Sequence, residues 1–203
     1  MVSPGILRLT LQGPELAGFH TYHADDHVKL VFPDADGTLR APVPNAELEL
    51  DWPRPSPPTR TYTIRRYDPH ALELDLDFVV HEGGLASDWA ERVELGEAVV
   101  VAGPPGAKSF SQTYDHYVFA VDATALPALA RWLDESPRDV SADVVAEVTD
   151  AQHQQYPLPP RNGVRIQWLI RPADASLLAD TVNALDLPSG RVFLFVAGIA
   201  GDL

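Results

Sequence analysis

The chain has 203 residues, 45% of them apolar and 22% charged, the composition of a folded protein with room for one large core or two small ones. Its 15 Lys and Arg against 29 Asp and Glu give a net charge of −14, which repels the phosphates of DNA, RNA and anionic lipid and argues against nucleic-acid binding. Cys is absent, which removes disulfides, thiolate nucleophiles and Cys-ligated zinc or iron–sulfur centres. The start, MVSPGILRLTLQG, lacks the basic region and long apolar stretch of a secretion signal, and no apolar run reaches the roughly eighteen residues of a spanning helix. The expectation is a soluble cytoplasmic protein without a membrane span.

In chain order, residues 6–11, 28–32, 60–66 and 72–80 alternate apolar and polar types or are rich in β-branched residues. Pro- and Gly-bearing turns separate them, the pattern of an antiparallel sheet with one wet face. GEAVVVAGPPG (96–106) adds an apolar strand, and short strands at this spacing predict a small barrel. After about residue 112 the pattern changes. Tyr117 to Val121 reads as a buried strand, and Thr124 is placed to cap a helix carrying Leu126, Leu129, Ala130 and Leu133. Strands are expected at 142–148, 164–170 and 191–198, with a helix near 175–185 and a Pro-bearing loop at 151–163. This βα alternation predicts a parallel sheet with helices on its faces, so two units are expected, 1–112 and 113–203, with the boundary near 107–114.

Two segments carry candidate chemistry. RPSPPTRTYTIRRYDP (54–69) gathers Arg54, Arg60, Arg65 and Arg66 in an acidic chain, which suggests a local anion. On a strand Arg60 and Tyr62 share one face and Thr63 takes the other, unless a bulge intervenes, and a guanidinium beside a phenol suits a phosphate attached to a flat heterocycle. Exposed Arg and Tyr are equally ordinary on a barrel strand. HEGGLASDWAERV (81–93) follows with a turn at Gly83 and Gly84, and Ser87 begins a short helix whose N–H groups suit a pyrophosphate. Such turns also occur without a ligand, but strand, connecting strand and glycine-turn helix are a sensible order for gripping both ends of a dinucleotide.

Together with DDHVKLVFP (25–33), LDLDFVV (74–80), DATALPALARWL (122–133) and VFLFVAGIA (192–200), these segments resemble, in order, those of the siderophore-interacting proteins, FAD-dependent ferric-siderophore reductases of the ferredoxin-reductase-like superfamily. The resemblance implies a β plus α/β chain: an antiparallel flavin-binding β-barrel, then a ferredoxin-reductase-like α/β nucleotide-binding domain that is short at its C-terminal end. It implies that Arg60 holds the FAD phosphates, Tyr62 lies against the isoalloxazine or ribityl chain, Thr63 bonds near N5, and His81 is close to the flavin. It also implies that Gly84, Ala86 and Ser87 offer donors to the pyrophosphate. NADH, NADPH or ferredoxin is the implied electron donor and a ferric siderophore the acceptor, with no protein catalytic base and no resident metal. By the same resemblance, Arg65 and Arg66 are solvated strand charges.

Three departures are visible. Ala123 stands where the family has Glu in Gly-Asp-Glu-Thr-Ala-Leu-Pro, Ile199 stands where it has Glu in Ala-Gly-Glu, and the sequence stops at Leu203, before a helix, a strand and a basic segment of relatives. These leave the donor side open, with a flavin- or siderophore-binding protein without turnover as the alternative. HTYHADDHV (20–28) has metal-ligand residue types at spacings that fit no standard zinc site. Trp132 and Trp168 read as core, Trp89 as a helix-to-barrel contact, and no Ser-His-Asp arrangement is argued from chain order.

Overall fold

The computed structural model describes residues 1–47, 49–106, 110–172 and 175–198. The first half forms β1 (Ile6–Gln12), β2 (His27–Val31), a two-strand ribbon of β3 (Val43–Pro44) and β4 (Leu50–Asp51), β5 (Thr59–Asp68), β6 (Glu73–Val79), helix α1 (Leu85–Arg92) and β7 (Val100–Ala102). Five of these strands pair antiparallel in the order β1-β6-β5-β2-β7, the curled sheet of the expected barrel. Alternation decides what turns inward: Val28, Leu30, Ile64, Leu74, Leu76 and Phe78 are all fully buried in one core, which α1 closes with Ala86 and Ala90. Trp89 packs edge-on to Phe32 at 5.7 Å and against Phe78 at 5.9 Å, the helix-to-barrel contact read from the sequence.

The second half carries β8 (His116–Asp122), α2 (Leu126–Glu135), β9 (Ala142–Val148), β10 (Val164–Ile170), α3 (Leu178–Asn183) and β11 (Val192–Ala197). Its four strands are parallel in the order β10-β9-β8-β11. Every residue of the central β8 and β9 is buried, as continuous apolar strands covered on both faces must be. Tyr117, Phe119 and Val121 face α2, where Trp132 lies 4.4 Å from the Phe119 ring, while Ala120 and Val145 face Leu178 of α3. Trp168 packs at the margin of the α2-side core.

Several local expectations are corrected. The strand expected across 96–106 is confined to three residues, and the helix near 175–185 to six. The cap of the α2 region is Asp122, not Thr124: its Oδ1 accepts from the Thr124 and Ala125 amides and the Thr124 hydroxyl, so a single 3-10 turn precedes the helix. The face of β6 opposite the core is not wet. Asp75 and Asp77 are 5% exposed, because Arg8, Thr10, Arg66 and Tyr156 cover them. Part of the expected boundary, residues 107–109, lies outside the described residues, as does Ile199.

Three contacts tie the sheets together. Arg131 of α2 donates to the Thr21 hydroxyl at 2.8 Å and to the Ile64 carbonyl at 3.1 Å. Arg65 pairs with Asp134 at 2.7 Å, and the Tyr156 hydroxyl donates to Asp77 Oδ2 at 2.5 Å. The C-terminal ends of the parallel strands therefore face β5 and β6 across a fixed seam.

Candidate functional site

A cavity of about 530 Å³ occupies this seam, within the size range of small-molecule sites. One wall is barrel: His27 of β2, Arg60 to Thr63 of β5, and Asp77, Val79, Val80 and His81 at the end of β6. The other collects the C-terminal ends of the parallel strands, with Asp122 to Ala125 after β8, Glu147 to Thr149 after β9, Arg171 after β10, and Ala197 and Gly198 at β11. Nucleotides bind open parallel sheets at that end of the strands.

The cation cluster divides. Arg65 is paired with Asp134, and Arg66 reaches Asp75 at 2.7 Å, Glu73 at 2.8 Å and Asp68 at 3.4 Å. Neither is a solvated charge. A bulge between Ile64 and Arg66 shifts the register so that Arg66 meets Asp75 directly, which strict alternation does not foresee. Arg60 differs: among the described residues it forms no ion pair, and its guanidinium donates only to the neighbouring Thr59 carbonyl at 2.8 Å. An exposed guanidinium on the cavity wall, left unneutralised while its neighbours are paired, is suited to an anionic ligand.

Tyr62 supplies a flat surface. Its ring packs 4.2 Å from Phe78 at 38°, and burial pushes its hydroxyl pKa up to about 12, against the opposing effect of Arg60, so the phenol stays protonated. Beyond β6, Gly83 has the positive φ of 75°, whereas Gly84 sits at φ −84° and ψ 120° as the N-cap of α1. The helix thus begins at Leu85 and not at Ser87, and no side chain caps its first turn, which leaves amide donors for an anion. A Cβ on Gly84 would lie 2.2 Å from Cε1 of His81, so the glycine makes room for that imidazole. Ser87 is 1% exposed, and its Oγ accepts the His81 amide at 2.8 Å. Arg60, Tyr62, Thr63 and His81 line the cavity together, while Gly84, Ala86 and Ser87 stand outside its lining.

Sequence reasoning passed over His27, Asp122, Glu147, Thr149, His153 and Arg171. All but His27 and His153 lie at strand ends of the parallel sheet, a positional signal that the βα pattern already contained. In the His-rich segment, Asp26 Oδ2 accepts from the Tyr22 and His23 amides and the Thr21 hydroxyl, which shapes the loop. A second cavity, of about 620 Å³, lies between this loop, β5 and α2. Its three arginines, Arg65, Arg66 and Arg131, are all in ion pairs, so it offers no open charge.

An antiparallel barrel joined to a parallel nucleotide-type sheet, with a cavity at the seam, is the architecture of the ferredoxin-reductase-like class. The cytochrome b5 reductase domain of Ulva prolifera nitrate reductase shares it at a TM-score of 0.64 and 16% identity, covering 98% of this chain and 83% of that one. Within that class the chain belongs to the siderophore-interacting protein family: the siderophore-interacting FAD-binding domain matches residues 1–108, and the siderophore-interacting protein domain matches 114–202. It is similar to a ferric vibriobactin reductase of Vibrio cholerae, 34% identical with 97% of this chain and 74% of that one covered. An NADPH-dependent ferric-chelate reductase of Escherichia coli is also 34% identical, over 97% of this chain and 77% of its own. A siderophore utilization protein from T. fusca superposes with a TM-score of 0.88 at 36% identity, covering 98% of this chain and 77% of that one.

Proposed function

We propose that this protein is a FAD-dependent ferric-siderophore reductase that takes electrons from NADPH or NADH and releases iron as Fe(II). The observation that carries the reading is the seam cavity, which sets the unpaired Arg60 and the flat Tyr62 against the nucleotide-binding end of a parallel sheet. FAD fits these residues. Arg60 and the uncapped first turn of α1 provide two separate anion sites, Tyr62 backs the ring, and Thr63 and His81 border it.

When bound, the flavin accepts two electrons from a pyridine nucleotide and yields them singly to iron(III). This chain's own residues bind, orient and shield. Tyr62 remains a neutral phenol and adds no charge to the ring face. The contacts of Arg131, Arg65 and Tyr156 hold the barrel and the parallel sheet at fixed separation, so that a donor at the strand ends meets a ring on the barrel. No side-chain general base is required. Iron is substrate: once reduced, it is held less firmly by hard oxygen ligands and leaves.

The division of labour falls at 112/113, with FAD on the first unit and the donor on the second. A ferric siderophore is the soluble partner, and the cytoplasm, where pyridine nucleotide is at hand, is the working compartment; no helix among the described residues is long and apolar enough to cross a membrane. The test is aerobic-free turnover with NADPH, FAD and a ferric siderophore, scoring Fe(II) with a ferrous chelator. FAD-dependent Fe(II) formation above the free-flavin rate is expected. Tight FAD binding without reduction by either pyridine nucleotide would instead support a flavin-binding protein without turnover.

A further inference from the structure

His153 is the one side chain of the cavity wall with a stranded polar atom. It sits on the 3-10 turn Ala151–Gln155 after β9, is 6% exposed, and its Nδ1 is sealed from solvent with no hydrogen-bond partner. The turn is pinned on both sides. The Asp150 side chain accepts the Gln152 amide at 2.8 Å, and the next residue, Tyr156, bonds the His153 carbonyl through its amide and Asp77 through its hydroxyl. The ring therefore has a fixed place. That place adjoins the barrel wall: a Cβ on Gly5 would lie 2.5 Å from Nε2, and the Gly5 carbonyl accepts the amide of Val80, another lining residue, at 2.8 Å.

A neutral imidazole carries one N–H and one bare nitrogen. Leaving an N–H buried and unpaired costs more than leaving a lone pair unpaired, so the proton belongs on Nε2 and the sealed Nδ1 is the bare nitrogen. An apolar side chain would fill the same volume without a buried unpartnered polar atom, so packing alone does not account for histidine here. Building on the FAD reading above, the ring backed by Tyr62 must turn its polar edge toward some wall. The Val80–His153 wall offers the donor.

We propose that His153 contacts the cofactor: its Nε2–H donates a hydrogen bond to the polar pyrimidine edge of the isoalloxazine and thereby favours the reduced form. Donors near those ring atoms tune flavin electronics because reduction adds electron density there, and a hydrogen bond strengthens as its acceptor gains charge.

The experiment measures the reduction potential of FAD-loaded wild type, His153→Phe and His153→Gln by dye equilibration, together with FAD content and melting temperature. Phe keeps a ring without a donor; Gln restores one. Expected is full FAD content in all three, a reduced-to-oxidised ratio about tenfold lower in His153→Phe at a given potential, which is about 30 mV for a two-electron couple, and rescue by Gln. Equal potentials in wild type and His153→Phe, each with stoichiometric FAD, would overturn the proposal and leave the FAD reading intact. Failure of the wild type itself to bind FAD would overturn both. Should His153→Phe not fold, ¹⁵N-histidine NMR of the wild type decides. A shift of the His153 Nε2 proton on adding FAD to flavin-free protein supports the contact, and an unchanged signal removes it.

Discussion

Arg60 and Arg66 lie six positions apart on one strand and do opposite work. Arg66 neutralises protein carboxylates, while Arg60 is left for a ligand. Replacing a charge-assisted contact costs about 1.5–3 kcal/mol, so Arg60→Ala is expected to weaken FAD binding by about tenfold or more with an unchanged melting temperature. Flavin titration beside thermal melts checks this, and Arg66→Ala, which uncovers the buried Asp75, should show the reverse. Asp26 makes a pH prediction. Burial pushes its carboxyl up, but the His23 and Tyr22 amides and the Thr21 hydroxyl outweigh burial and hold it below the ordinary value of 3.8. A depressed carboxyl stabilises the fold above that value and loses the contribution as pH falls through its folded pKa. Melting of Asp26→Asn should therefore show about 1–2 kcal/mol lost at neutral pH and a shallower acid decline than wild type. The role of Arg60 was legible in the sequence from its residue type and its neighbour Tyr62. The pairing of Arg66 was not, because it depends on a bulge that sequence alternation does not reveal.

At the level of elements, β9 and β10 fall where their apolar runs place them, 142–148 and 164–170, because strands buried between layers have no other reading. The ends of helices were less legible. Gly84, not Ser87, caps α1, and Asp122 takes the cap that Thr124 was given, since an Asp reaching two amides outcompetes a Thr already inside the turn. His153 left no sequence signal, being a lone histidine in a Pro-bearing loop whose position depends on contacts to Gly5 and Asp77. Two anion sites, Arg60 on β5 and the open first turn of α1, predict that flavin-free protein binds FAD at least about tenfold more tightly than FMN, which carries one phosphate group. Gly84→Val tests the second site. The backbone at φ −84° accepts a valine, so no positive φ is at stake, but its Cβ forces His81 aside and crowds the first-turn amides. FAD affinity should drop while the melting temperature holds; equal loss of both would mean that Gly84 serves only the turn.

For the molecule as a whole, the site exists because two sheets are locked edge to end. Arg131 is 5% exposed and crosses the seam to Thr21 and Ile64, so Arg131→Met removes two interdomain hydrogen bonds without emptying the space. A loss of about 2–3 kcal/mol in denaturant unfolding is expected, with slower reduction of bound FAD by NADPH, because the strand ends no longer hold the donor at a fixed distance from the barrel. Unchanged reduction kinetics in that variant would separate the lock from the chemistry. The central claim is that the seam cavity holds FAD and hands its electrons to chelated iron. Anaerobic mixing of reduced, FAD-loaded protein with a ferric siderophore, followed by absorbance, tests it most directly. The account predicts flavin reoxidation far faster than for free reduced FAD, with about two ferrous ions formed per flavin. Reoxidation no faster than free flavin, in protein shown to hold one FAD per chain, would contradict it.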